Sequence, residues 1–168
     1  LGAVRVTGVS GVSGDMRGMD LWDGMKINTS DGPITLTGTS RSSAAFNGSS
    51  IDNGIWLESS GATTPNITAG NSGTVTLTGY ATGAPALRID GKLASSGGLI
   101  TLNSNTLYIN SGTVNATAAG NVAIQTLGSG IDLGGADSAS NLGLSQSELN
   151  NITASNLRLG STTTGNII

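Results

Sequence analysis

Pairs of apolar residues separated by one position recur along the chain, with Gly, Ser, Thr or Asn on either side. The pattern is plainest over residues 98–126, where Ile100/Leu102, Leu107/Ile109, Val114/Ala116 and Val122/Ile124 follow one another. Side chains alternate across a strand, so each pair faces one way while Thr101, Tyr108, Asn115 and Ala123 face the other. The spacing predicts three short strands that form three walls, with corners between them and a fourth strand that opens the next coil. Ile100 and Val122 stand 22 residues apart, within the period range of stacked repeats.

The same triplet of walls is legible upstream. Val4/Val6, Met19/Leu21 and Met25/Ile27 form an irregular first coil over residues 1–30, interrupted by a long loop. Ile34/Leu36, Ile55/Leu57 and Ile67/Ala69 form the second, with a Ser- and Asn-rich insertion over 39–53 between its first two walls. Val75/Leu77, Leu87/Ile89 and Leu93/Ser95 form the third, and Val122/Ile124 with Ile131/Leu133 begin the fifth. The regular coils thus run over 31–133. Over 134–155 the strand period stops, and Ser145-Gln-Ser-Glu148 has the spacing of a capping box, which predicts a short helix over 145–152 packed through Leu144, Leu149 and Ile152. Leu157/Leu159 are expected to resume the third wall over 156–168, and Ile167 to open a sixth coil.

A single coil cannot cover its own apolar face, whereas a stack buries each Val, Leu or Ile between its neighbours at roughly 1.5–3 kcal/mol apiece. The predicted fold is therefore all-β: a parallel β-helix (β-solenoid) of about five three-walled coils, one domain over 1–168, with one short helix in an insertion. Right-handedness follows from the usual crossover preference.

Composition changes this picture in two ways. Among 168 residues, 27 are Gly, 3% are aromatic and 10% charged, a profile that without the regular apolar pairs would suggest disorder. The net charge of −3 supplies no basic footprint for nucleic acid, and no apolar run is long enough to span a bilayer, so neither partner is expected. Without Cys or His there is no disulfide, thiolate, imidazole ligand or Ser-His triad. The chain opens at Leu1 without a leader and ends as if a strand were starting, and so reads as a piece of a longer polypeptide.

The stretches Gly73-Thr-Val-Thr-Leu-Thr-Gly79, Ala86-Leu-Arg-Ile-Asp-Gly91, Ile131-Asp-Leu-Gly-Gly-Ala-Asp137, Leu142-Gly-Leu-Ser-Gln-Ser-Glu-Leu-Asn150 and Ile152-Thr-Ala-Ser-Asn-Leu-Arg-Leu-Gly160 resemble shaft repeats of the filamentous haemagglutinin class of large exoproteins. The segment from Ile131 to Gly160 is the most specific of these. The resemblance implies a right-handed β-helix that serves as the rod of a bacterial adhesin, secreted or at the cell surface. It also implies export by two-partner secretion through an outer-membrane partner. The implied partners are neighbouring β-helical segments and host glycans or receptors.

Candidate chemistry concentrates on the second wall, whose outward positions in successive coils are Asp20, Trp56, Arg88, Tyr108 and Asp132. Trp56, Arg88 and Tyr108 are expected to stack, with cation–π contact and aromatic faces of the kind that receive sugars. This ridge is the candidate ligand site; the plainer reading is that Phe46 in the insertion folds over Trp56 as a satellite core. Carbohydrate-active enzymes also use β-helices, and glycoside hydrolysis needs two carboxylates about 5–10 Å apart. Asp20, Asp23, Asp90 and Asp132 are the acidic residues expected to face outward; Asp20 and Asp132 are expected on one wall but several coils apart, and Asp20 and Asp23 read equally as solvated turn charges, so no catalytic residue is assigned and no enzyme is expected. The Gly134-Gly-Ala-Asp137 segment and the Asp15, Asp20, Asp23 group are weak as calcium sites, and no metal or cofactor is assigned. Thr35/Thr37, Thr76/Thr78 and Thr101/Asn103 make a hydroxyl array of ice-binding type over three coils, although threonine is an ordinary outward strand residue. Asn28, Asn47, Asn66, Asn115 and Asn151 head Asn-x-Ser/Thr triplets, as chance provides in such a composition. Open strand edges at the two ends predict end-to-end association.

Overall fold

The structure is a computed structural model that describes residues 2–11, 16–41, 52–59, 66–82, 85–117, 119–128, 130–138, 141–161 and 167. Phe46, Asp15 and the Asn47 triplet lie outside the described residues.

The strands appear in threes, as the apolar pairs predict. The first round holds β1 (Val4–Val9), β2 (Met19–Leu21) and β3 (Lys26–Thr29); its third-wall pair is Ile27/Thr29, in register with Ile67/Ala69, and not Met25/Ile27, because Met25 lies before β3 and is exposed. The second holds β4 (Ile34–Thr39), β5 (Ile55–Leu57) and β6 (Asn66–Ala69), and the third β7 (Val75–Tyr80), β8 (Leu87–Ile89) and β9 (Lys92–Ser95). A fourth round follows with β10 (Leu99–Ser104), β11 (Leu107–Ile109) and β12 (Thr113–Asn115). Downstream lie β13 (Asn121–Thr126), β14 (Gly130–Leu133), β15 (Asn141–Leu144), α1 (Gln146–Asn150), β16 (Ile152–Thr153) and β17 (Asn156–Leu159).

Through the first four rounds the chain visits three parallel sheets in turn. Their strand orders are β1-β4-β7-β10-β13-β17, β2-β5-β8-β11 and β3-β6-β9-β12-β16. In the first sheet Val4, Ile34, Val75, Ile100, Val122 and Leu157 share one register row. The inner rows of all three sheets meet in one core, where Ile34, Leu36, Leu77, Leu87, Ile89, Leu93, Ile100 and Leu102 have no exposed surface. Ser95 is one of the polar residues of that interior; its hydroxyl donates to the Gly73 carbonyl at 2.9 Å and accepts the Gly98 N–H at 2.9 Å, so its burial leaves no orphan group. Where the first and second walls meet, a side chain at Gly79 would place its Cβ 2.2 Å from the Ala86 carbonyl oxygen, a backbone atom that cannot step aside. The chain turns the corner there because glycine leaves the space empty.

Downstream of β12 the sequence reading needs three corrections. Leu157/Leu159 do not resume the third wall: β17 pairs with β13 in the first sheet, and β16 supplies the third-wall strand, with Ile152 beside Val114. Ile131/Leu133 do not extend the second wall either, because β14 pairs with β15 in a separate two-stranded sheet. Asp132 consequently does not share a sheet with Asp20. Finally, 134–155 is not free of strands. Leu142 and Leu144 are fully buried inward residues of β15, and the residue between them, Gly143, hides the alternation. A Cβ on Gly143 would lie 2.2 Å from the Ala136 carbonyl carbon, so no outward side chain fits. Ile167 forms an isolated parallel bridge with Ile131, and β17 already opens the sixth round of the first sheet.

The helix begins where its capping signal places it but is shorter than 145–152: it ends at Asn150, and Leu144 and Ile152 belong to β15 and β16. Ser145 is the N-cap of α1, its hydroxyl accepting the Glu148 N–H at 3.3 Å, while the Glu148 carboxylate accepts the Ser145 N–H at 2.9 Å. Among the described residues no helix is long and apolar enough to cross a membrane.

Candidate functional site

Two features sit side by side on the second wall: a stack of cations and aromatics over β2, β5, β8 and β11, and a cleft immediately downstream of β11. In-register pairing places Asp20 beside Trp56, Trp56 beside Arg88, and Arg88 beside Tyr108. Parallel strands lie roughly 4.8 Å apart, close enough for neighbouring outward side chains to stack. The Arg88 guanidinium carbon lies 4.2 Å from the centre of the Trp56 ring and 5.7 Å from that of Tyr108. A second guanidinium, from Arg17, lies 4.3 Å from the Trp56 centre. Along the wall the order is therefore cation, aromatic, cation, aromatic.

Carboxylates hold both arginines in place. Asp90 accepts the Arg88 Nε–H at 2.8 Å and the Trp56 Nε1–H at 2.9 Å on the same oxygen. Arg17 pairs with Asp20 and reaches Glu58 at 3.4 Å. Burial, then the neighbouring Asp20 charge, pushes the Glu58 carboxyl above its usual range, with Arg17 acting the other way. The three sequence-predicted ridge residues do come together, but Trp56 is only 7% exposed, packed between two guanidinium groups. The solvent-facing aromatics here are Tyr108, 39% exposed, and Trp22, 55% exposed, whose Nε1–H donates to Asp20 at 2.6 Å. Neither Arg17 nor Trp22 was singled out from sequence, since both stand outside the apolar-x-apolar pairs.

The second wall ends at β11, and side chains take the place of its next strand. The Leu107 N–H donates to Asp137 Oδ2 at 3.1 Å, and the Ile109 N–H to Glu148 Oε1 at 3.3 Å. The Asn151 amide donates to the Ile109 carbonyl at 3.3 Å. Asp137 Oδ1 also accepts the Gly143 N–H at 2.8 Å, and Glu148 Oε2 accepts from the Ser145 hydroxyl at 2.7 Å. An edge that would otherwise leave buried donors unpaired is thus closed by two carboxylates and an amide. Although Asp137 has exposed surface in the cleft, partial withdrawal of its carboxyl group from water pushes it up to about 7; the Glu148 charge adds to this, while the N–H groups of Gly143 and Leu107 oppose it.

Above this closed edge lies a cleft of about 1060 Å³, lined by Pro85, Tyr108, Ala136, Asp137, Ser145 and Glu148 among others. Sequence reasoning passed over Asp137 and Glu148 as a pair, because they lie on a loop and a helix and only the strand between them brings them together. The outward threonines keep their predicted rows, Thr35-Thr76-Thr101 and Thr37-Thr78-Asn103, and Asn103 donates to Thr78 at 3.2 Å. Of the described Asn-x-Ser/Thr triplets, Asn28 and Asn115 are exposed, whereas Asn151 is engaged at the β11 edge. Among the described residues no group of three or more Asp or Glu side chains is arranged to hold a metal ion. Comparison with protein-family models, with curated proteins and with solved structures gives no match.

Proposed function

We propose that the chain is a structural and adhesive segment of a bacterial adhesin, surface-exposed or secreted, folded as a right-handed parallel β-helix of the filamentous haemagglutinin type. The observation that carries this reading is the register row from Val4 to Leu157, kept through six parallel strands of one sheet. A rod built this way lengthens by adding rounds, each buried against the last, and holds contact elements at a fixed distance from the cell. Its partners on this reading are neighbouring β-helical segments, the outer-membrane protein that exports the parent chain, and host glycans or receptors met by the loops or the second wall.

The test is attachment of beads carrying the purified chain to host cells and to a glycan array, with Trp56→Ala and Tyr108→Ala as folded controls. Attachment that survives both substitutions supports a rod with contacts elsewhere. Loss in both moves the chain to the carbohydrate-binding alternative through the Trp56, Arg88 and Tyr108 ridge. No attachment from well-folded wild type removes the adhesive part and leaves a spacer.

One observation favours a carbohydrate-active version of that alternative. Asp137 and Glu148 are anchored to N–H groups two residues apart on β11, which brings together two carboxyl groups, the pair that glycoside hydrolysis uses. Release of reducing ends from a polysaccharide panel, abolished by Asp137→Asn, is the result that favours it over the rod.

A further inference from the structure

The alternation on the second wall is incomplete. Arg17 and Arg88 each lie against an aromatic ring and pair with a carboxylate, Arg17 with Asp20 and Arg88 with Asp90 at 2.8 Å. Tyr108 is the next aromatic in the series. Its upstream side faces Arg88 on β8, 5.7 Å from the ring centre, and its downstream side faces the cleft, because β11 is the last strand of that sheet. Beyond Tyr108 the series calls for a cation paired with a carboxylate. The carboxylate is there, in Asp137, and the described cleft lining contains no Lys or Arg.

The remaining features agree. Each Asp137 oxygen accepts one backbone N–H, from Leu107 and from Gly143, which leaves a further acceptor position on each. Asp137 is exposed at the cleft mouth, whereas Glu148 is 7% exposed and adds its charge from behind. A planar guanidinium can lie on an aromatic face and direct an N–H at a carboxylate, as Arg88 does one strand away with its Nε–H and Asp90. An ammonium lacks that flat face.

We propose that the cleft between Tyr108 and Asp137 binds a guanidinium group, supplied by an arginine, either free or within a peptide. It is a site for an external arginine in the position that a further arginine of the stack would occupy, and it stands independently of the adhesive role.

The test is an NMR titration of the whole chain with Nα-acetyl-arginine methylamide, the matching citrulline and lysine compounds, and free arginine. The expected result is a shift of the Tyr108 ring protons and the Asp137 amide with the arginine compound. Binding of the uncharged citrulline compound should be about tenfold weaker, with the lysine compound in between. A blocked compound that binds better than free arginine identifies a peptide as the source; the reverse order identifies the amino acid. Tyr108→Leu, folded by circular dichroism, should lose most of the affinity. Equal binding of the arginine and citrulline compounds, shifts confined to other walls, no shift at all, or unchanged affinity in Tyr108→Leu would overturn the proposal.

Discussion

The second wall is made in two ways within one molecule. From β2 to β11 it is a backbone ladder, stiffened on its outer side by a stack in which two arginines and two aromatics interleave. Past β11 the ladder stops, and Asp137, Glu148 and Asn151 meet the backbone groups that a strand would have met. Upstream, the strands of each round stand in register on those of the last whatever the length of the loops between them, so the backbone closes itself. Downstream, residues are added between Thr126 and Ile152 and the next strand is displaced, so side chains must close the edge. The ladder gives a wall that can be continued; the side-chain closure gives a wall with an opening and charge inside it.

The largest effects should come from cutting into the core on either side of that break. Leu77 and Leu144 are both fully buried. Leu77→Ala removes an inward residue flanked by strands on both sides, and about 3–4 kcal/mol should be lost in urea unfolding. Leu144→Ala should act locally, since the rounds upstream do not depend on it. Amide exchange should then quicken over residues 130–153 while Ile34, Leu36 and Leu102 stay protected. Equal, global losses from the two substitutions would mean that the break does not divide the stack.

Glu148→Ala should cost next most, about 2–3 kcal/mol, because it strands the buried Ile109 N–H and removes one half of the capping box. The cost should appear as faster exchange at Ile109 and loss of α1. The upstream counterpart is Trp56→Leu, which keeps an apolar body but gives up contact with two guanidinium groups and the bond to Asp90. A loss of about 2 kcal/mol is expected, without faster exchange at Ile109. If it disturbs Ile109 as much as Glu148→Ala does, the two halves of the wall are coupled.

The same division decides what could be read from sequence. Every inward pair from Ile34 to Ile124 was legible because alternation is local and each wall repeats it. The Trp56, Arg88 and Tyr108 row followed from counting positions in those pairs. The register of β17 was not legible: Leu157/Leu159 match any wall, and β16 as a third-wall strand is only two residues long. Leu142-Gly-Leu144 has the right spacing, but glycine between two leucines also reads as a turn. Arg17 reaches Trp56 from a residue before β2, by a contact that no spacing rule announces. Asp137 and Glu148 meet on β11 at sequence separations of 30 and 39 residues from their partners, so only the folded chain makes them a pair.

The smallest effect tests the electrostatics of the downstream closure. The Asp137 carboxyl is raised from 3.8 to about 7 in the folded chain. Between those values the folded chain binds more proton than the unfolded one, so its stability must fall as pH rises through that window. Water at the cleft mouth reaches Asp137, which screens the change and keeps it to about 1 kcal/mol or less. Asn at this position imitates the protonated acid, with one acceptor and one donor group, and should remove this part of the pH dependence. Urea midpoints measured at about pH 4.5 and about pH 7.5 should therefore drop further for wild type than for Asp137→Asn. A Trp56→Leu chain, altered only upstream, should keep the wild-type difference. Parallel pH curves for wild type and Asp137→Asn would show that the carboxylate is ionised throughout, and that the closure of β11 rests on hydrogen bonding to a charged group.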